Sequence, residues 1–76
     1  VIRRYAVYST RGADFKAQRD ELGLSLRYVA AKSGYSARYI GDMERGVKPL
    51  PLAAAEILDT TFARIRARIQ RMEVGG

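Results

Sequence analysis

The 76-residue sequence predicts a small all-α domain, a bundle of four to five helices containing a helix-turn-helix, with room for a short N-terminal strand. Two observations carry this. Cap-forming serines and glycines alternate through the centre, Ser25, Gly34, Ser36 and Gly46, and mark off two short helices. Apolar residues then recur three and four apart up to Met72, the period of a helix with one packed face. The length allows a single hydrophobic core, and the absence of Cys and His leaves helix packing, or a second copy of the chain, as the means of holding it.

Residues 1–12 read as a basic N-terminal arm or a short strand. Val1 to Thr10 alternates and is rich in β-branched and aromatic residues, and Arg11-Gly12 breaks it. A lone strand would have to pair with a partner chain or lie over the helices. Residues 13–58 then form the helix-turn-helix domain. Asp14 is placed to cap a first helix to about Leu22, with Phe15 and Leu22 inward and Gly23 as its stop. Ser25 caps a second helix, in which Leu26, Val29 and Ala30 recur at helical spacing, and Gly34 ends it.

Ser36 caps the third helix, from Ala37 to Glu44 or Arg45. Its Ile40 and Met43 face inward, and Arg38, Gly41, Asp42 and Arg45 face out. Gly46 stops it, Pro49 and Pro51 bracket a turn, and Pro51 suits the first turn of a further helix. From Leu52 to Met72 there are few breakers, so one long helix or two short ones fit. Residues 59–76 form a C-terminal amphipathic helix, a candidate dimerisation element. Its stripe of Leu58, Phe62, Ile65, Ile69 and Met72 is a packing seam, whose first part should lie on the domain, and Phe62, Ile65, Ile69 and Met72 are the candidate dimer interface.

Charge points to the partner. The formal net charge is +6, concentrated at the two ends, with near balance between residues 13 and 46. A basic margin around a balanced centre suits a polyanion such as double-stranded DNA. No apolar run approaches the roughly 18 residues of a membrane span, so a cytoplasmic protein with no membrane partner is expected. With no His, no Cys and no phosphate-cradling glycine loop, neither an enzyme nor a metal, cofactor or small-molecule site is expected.

Arg19, Gly23, Ser25, Val29-Ala30, Gly34, Ser36, Ile40, Glu44, Gly46 and Pro51 together resemble the lambda-repressor-like, Cro-type helix-turn-helix family over about residues 14–58. Members are mostly phage and bacterial transcription regulators that bind operator DNA as dimers, so the resemblance implies a DNA-binding repressor or similar regulator and a homodimer. It also implies that Arg19 pairs with Glu44 and lies near the DNA backbone.

Base reading in the family comes from the start of the third helix and its next outward turn, here Ala37, Arg38, Gly41 and Asp42. Arg38 is the leading candidate, because a guanidinium can bond guanine O6 and N7 together; a phosphate contact is its alternative. Asp42, four residues on, either accepts from cytosine N4 or, the preferred reading, holds the Arg38 guanidinium. Many members have Gln where this chain has Leu26, which loses a phosphate hydrogen bond and implies a methyl contact or another docking angle. Arg19, Ser25, Arg27, Ser36, Arg45 and Lys48 are the candidate phosphate contacts. Tyr28, Tyr35 and Tyr39 pack at the surface rather than stack on bases. Two other uses of the C-terminal helix are docking of a different protein, as in an antitoxin or co-regulator, and, with less behind it, binding of Arg64 to Arg71 to anionic membranes.

Overall fold

The computed structural model describes residues 8–75. In chain order these form β1 (Tyr8–Ser9), α1 (Gly12–Glu21), α2 (Leu26–Ser33), α3 (Ala37–Glu44), β2 (Leu50–Pro51) and α4 (Leu52–Gly75). The helical bundle with a short N-terminal strand is the expected class, and the C-terminal segment is one long helix. It runs through the division expected between residues 58 and 59, so one helix carries both core positions and the candidate dimer segment.

Strand β1 pairs antiparallel with β2, Tyr8 opposite Pro51 and Ser9 opposite Leu50. Its partner is therefore the chain's own loop before α4, and the part of the expected strand before Tyr8 lies outside the described residues. Pro51 sits in β2, one residue outside α4 rather than in its first turn. A missing N–H is tolerated at the edge of a two-stranded ribbon.

Helix α1 begins two residues before Asp14. Its N-cap is Arg11, with no side-chain cap bond. The Arg11 N–H donates to the Ser9 hydroxyl at 3.1 Å, and the Arg11 carbonyl accepts from Phe15 N–H at 3.1 Å. Asp14 instead lies in the first turn, where its charge complements the exposed N–H groups of the helix start. The Arg11 side chain lies 4.7 Å from the Phe15 ring centroid and bonds both Asp59 oxygens on α4, at 2.9 and 2.7 Å. The hydrogen bonds from Arg11 hold the Asp59 carboxyl below its ordinary range.

The caps of α2 and α3 are those expected. Ser25 Oγ accepts from Tyr28 N–H and Ser36 Oγ from Tyr39 N–H, each at 3.0 Å. Gly34 closes α2 at φ +90°, a left-handed conformation costly to any residue with a Cβ. The core joins Phe15 of α1, Val29 of α2, Ile40 and Met43 of α3, Leu50 of β2, and Ala54, Ala55, Leu58 and Phe62 of α4. At its centre the rings of Phe15 and Phe62 stack, centroids 6.0 Å apart and 9° from parallel.

Two of the four residues expected at a dimer interface lie inside the chain. Phe62 is 2% and Ile65 4% exposed, so both belong to the chain's own interior. Only Ile69, half-buried, and Met72, 65% exposed, reach beyond it.

Gly12 opens α1 against the end of α3. A Cβ there would overlap the Met43 carbonyl oxygen and stand 3.2 Å from its carbon. Because the obstacle is backbone, a Gly12→Ala variant must push the two helices apart. It is expected to lose about 1–3 kcal/mol of stability, read as a lower urea midpoint with an unchanged slope.

Candidate nucleic-acid interface

Helices α2 and α3 pack directly on each other and are joined by Gly34, Tyr35 and Ser36. The joint is tightly bonded: Gly34 N–H donates to Ala30 O at 2.9 Å and Tyr35 N–H to Ser33 Oγ at 3.3 Å. Tyr35 and Tyr39 meet edge to face, centroids 5.3 Å apart and planes at 60°, and pack on the core. The tyrosines thus fix the angle at which α3 leaves the turn.

Helix α3 is buried through its second half, at Ile40, Gly41, Asp42, Met43 and Glu44, whereas in its first turn Arg38 is exposed and Ala37 half-exposed. Two expected readers therefore change place. A Cβ on Gly41 would lie 3.3 Å from Leu26 Cδ1 and 3.1 Å from Arg45 Nη1, so Gly41 is covered by those side chains and does not face a groove. Leu26 is half-buried and packs on the core as the lid over Gly41. An apolar side chain here gains more from packing than from solvent.

Asp42 is the third correction. Its side chain is 8% exposed and bonds Arg45 at 2.6 Å, with Lys48 at 3.8 Å; it does not hold Arg38. Its carbonyl also accepts from Val47 N–H at 2.8 Å and Lys48 N–H at 3.2 Å. Asp42 therefore shapes the loop after α3 and gathers two of the expected phosphate ligands, Arg45 and Lys48, at that end of the helix. Both remain more than half exposed.

Arg19 has one partner more than expected. It pairs with Glu44 as expected: Nε donates to Oε2 at 2.8 Å and Nη2 to Oε1 at 3.0 Å, while Nη1 donates to the Leu24 carbonyl at 3.0 Å. The side chains are 14% and 4% exposed, and the hydrogen bonds from Glu44 raise the Arg19 pKa above its already high value. Each of its three nitrogens is thus engaged inside the chain. Arg19 thus ties α1 to the end of α3 and to the turn before α2, which is the work of a positioning residue.

Ser25, Arg27 and Ser36 are exposed, at or beside the starts of α2 and α3. The N–H groups of a helix start, with the positive end of its dipole, suit a phosphate. The surface around α3 thus carries an exposed guanidinium at the first turn, cap serines at two helix starts, and a paired Arg and Lys at the far end. The turn bonding of Ser33 and the core packing of Leu24 were not read from the sequence, because both depend on the turns around α2.

A family model for the helix-turn-helix matches residues 15–65. The chain belongs to the helix-turn-helix family, of the lambda-repressor and Cro type. No curated protein and no solved structure matches it. As a member of this helix-turn-helix family it is a DNA-binding regulator of transcription. Among the described residues no helix is long and apolar enough to cross a membrane.

Proposed function

We propose that this chain is a sequence-specific repressor of double-stranded DNA, phage or bacterial and Cro-like, that binds a two-fold operator as a homodimer in the cytoplasm. The observation that supports it most is Arg38. It stands exposed in the first turn of α3, with no carboxylate paired to it among the described residues, next to the small Ala37, which permits close approach to a thymine methyl. Arg27, Arg45 and Lys48, with the helix starts at Ser25 and Ser36, take phosphates and set the register.

One such domain offers few base contacts, and two placed about 34 Å apart reach successive major grooves on one face of the duplex. Ile69 and the exposed Met72 are the surface offered to a second copy. A protein that sediments as a monomer without DNA but co-elutes with a different protein would favour the antitoxin-like or co-regulator role for the same surface.

Selection of duplexes from a random pool supplies the operator. On it, Arg38→Ala is expected to lose roughly 5- to 150-fold in affinity, the worth of one bidentate base contact, with little change on random duplex. Lys48→Ala should weaken specific and random duplexes alike and lower the salt slope by about one. Equal losses for both variants on both duplexes would remove the assignment of Arg38 to base reading.

A further inference from the structure

The basic residues of this chain are not uniformly solvated. Arg11, Lys16, Arg19, Arg45, Lys48 and Arg66 each pair with a carboxylate. Among the described residues, the cations without one are Arg27, Lys32, Arg38, Arg64, Arg68 and Arg71. Arg27 and Arg38 belong to the helix-turn-helix surface. The other four line a single groove of about 360 Å³ between α2 and α4, whose wall holds no acidic residue among the described residues.

The two flanks of α4 account for this. On one, Asp59 and Arg66 reach α1, the first to Arg11 and the second to Glu21 at 3.4 Å. On the other, Arg64, Arg68 and Arg71 follow at i, i+4 and i+7, one helical face spanning about 10 Å. Lys32 faces them from α2, its ammonium 5.4 Å from the ring centroid of Tyr28, and Ile65 forms the apolar floor. Like charges gathered in one cleft repel, and an anion bound among them relieves that repulsion.

We propose that the α2–α4 groove is a docking site for an acidic peptide segment of another protein, one with carboxylates every three or four residues and apolar side chains between them. Paired carboxylates meet guanidinium groups through two parallel hydrogen bonds, and the apolar residues meet Tyr28 and Ile65. The shape selects a peptide over a duplex. Packed helices have axes about 8–10 Å apart, so the furrow between them is narrow and concave, whereas a DNA backbone is a convex surface. A regulator held this way would be recruited through a surface separate from the DNA-reading helix α3.

The test uses the whole chain and a fluorescein-labelled peptide that repeats glutamates at three- and four-residue spacing with leucines between. A peptide with glutamine at every glutamate is the control. Binding by fluorescence anisotropy should be about tenfold tighter for the glutamate peptide. The exposed triple variant Arg64→Gln/Arg68→Gln/Arg71→Gln should lose that preference while keeping duplex affinity within about twofold, and Arg27→Gln/Arg38→Gln should do the reverse. Circular dichroism checks that both variants fold. The proposal fails if the two peptides bind equally. It fails also if the triple variant loses duplex binding as fully as Arg27→Gln/Arg38→Gln, which would make the groove part of the DNA footprint. Capture by phosphatidylserine vesicles in preference to the peptide would equally overturn it.

Discussion

Phe62→Ala is expected to leave most of the protein unfolded at room temperature. The ring is 2% exposed and stacks on Phe15 at 6.0 Å, so its removal empties the centre of the only core that the described residues form. Truncating a buried Phe costs about 3–5 kcal/mol, and a domain of this length rarely holds more than about 3–5 kcal/mol in total. Phe15, left without its stacking partner, is also the ring beneath Arg11, so the damage reaches the start of α1. Far-UV circular dichroism during a thermal melt reads this directly. Met72→Ala is the counterpart: its side chain is 65% exposed, the melt should stay within a few degrees of the parent, and any change should appear only in sedimentation. If Phe62→Ala gave a well-folded monomer, Phe62 would belong to an interface after all.

The heptad-like spacing that suggested an interface illustrates where a sequence stops being informative. A stripe at 4, 3, 4, 3 reports that a helix packs on something, and both a partner chain and the chain's own α1 satisfy it. What decided for Phe62 was the position of Phe15, 47 residues away in the chain. The local signals were readable because their physics is local: Ser25 and Ser36 each bond an N–H three residues on, and Gly34 needs only its own positive φ. Asp42 falls between the two cases. Helical spacing brings both Arg38, four residues before, and Arg45, three residues after, within its reach. Burial of its carboxylate on the inner side of α3 selects Arg45, together with Lys48 from the folded loop. Gly12 looked like a strand breaker, and its close approach to Met43 could be known only once α1 and α3 were packed. For the DNA surface, Arg38 was legible as an exposed position of a short amphipathic helix. The packing of Leu26 over Gly41 was not, because it depends on the angle between α2 and α3.

The second large effect is expected from Glu44→Ala. Glu44 is the last residue of α3, its side chain is 4% exposed, and it accepts two hydrogen bonds from Arg19, whose remaining terminal nitrogen bonds Leu24 O. Alanine leaves the Arg19 guanidinium largely buried without its counter-charge. A guanidinium stays protonated at any ordinary pH even without that partner, so deprotonation offers no escape. Breaking such a pair from one side costs about 3–5 kcal/mol, enough to unfold much of the population. Replacing both partners by apolar residues of similar volume, Arg19→Met with Glu44→Leu, removes the stranded charge and should recover most of the loss, since buried ion pairs are often no more stable than a well-packed apolar pair. The double variant also separates two roles for Arg19. If Arg19 only holds α1 against α3, the refolded double variant should bind duplex with the parent's salt slope, because no phosphate contact has been removed. If Arg19 neutralises a phosphate, that slope should fall by about one, although the fold is restored. Equal stability of Glu44→Ala and the parent by urea denaturation would show that the pair contributes nothing to holding α3 in place.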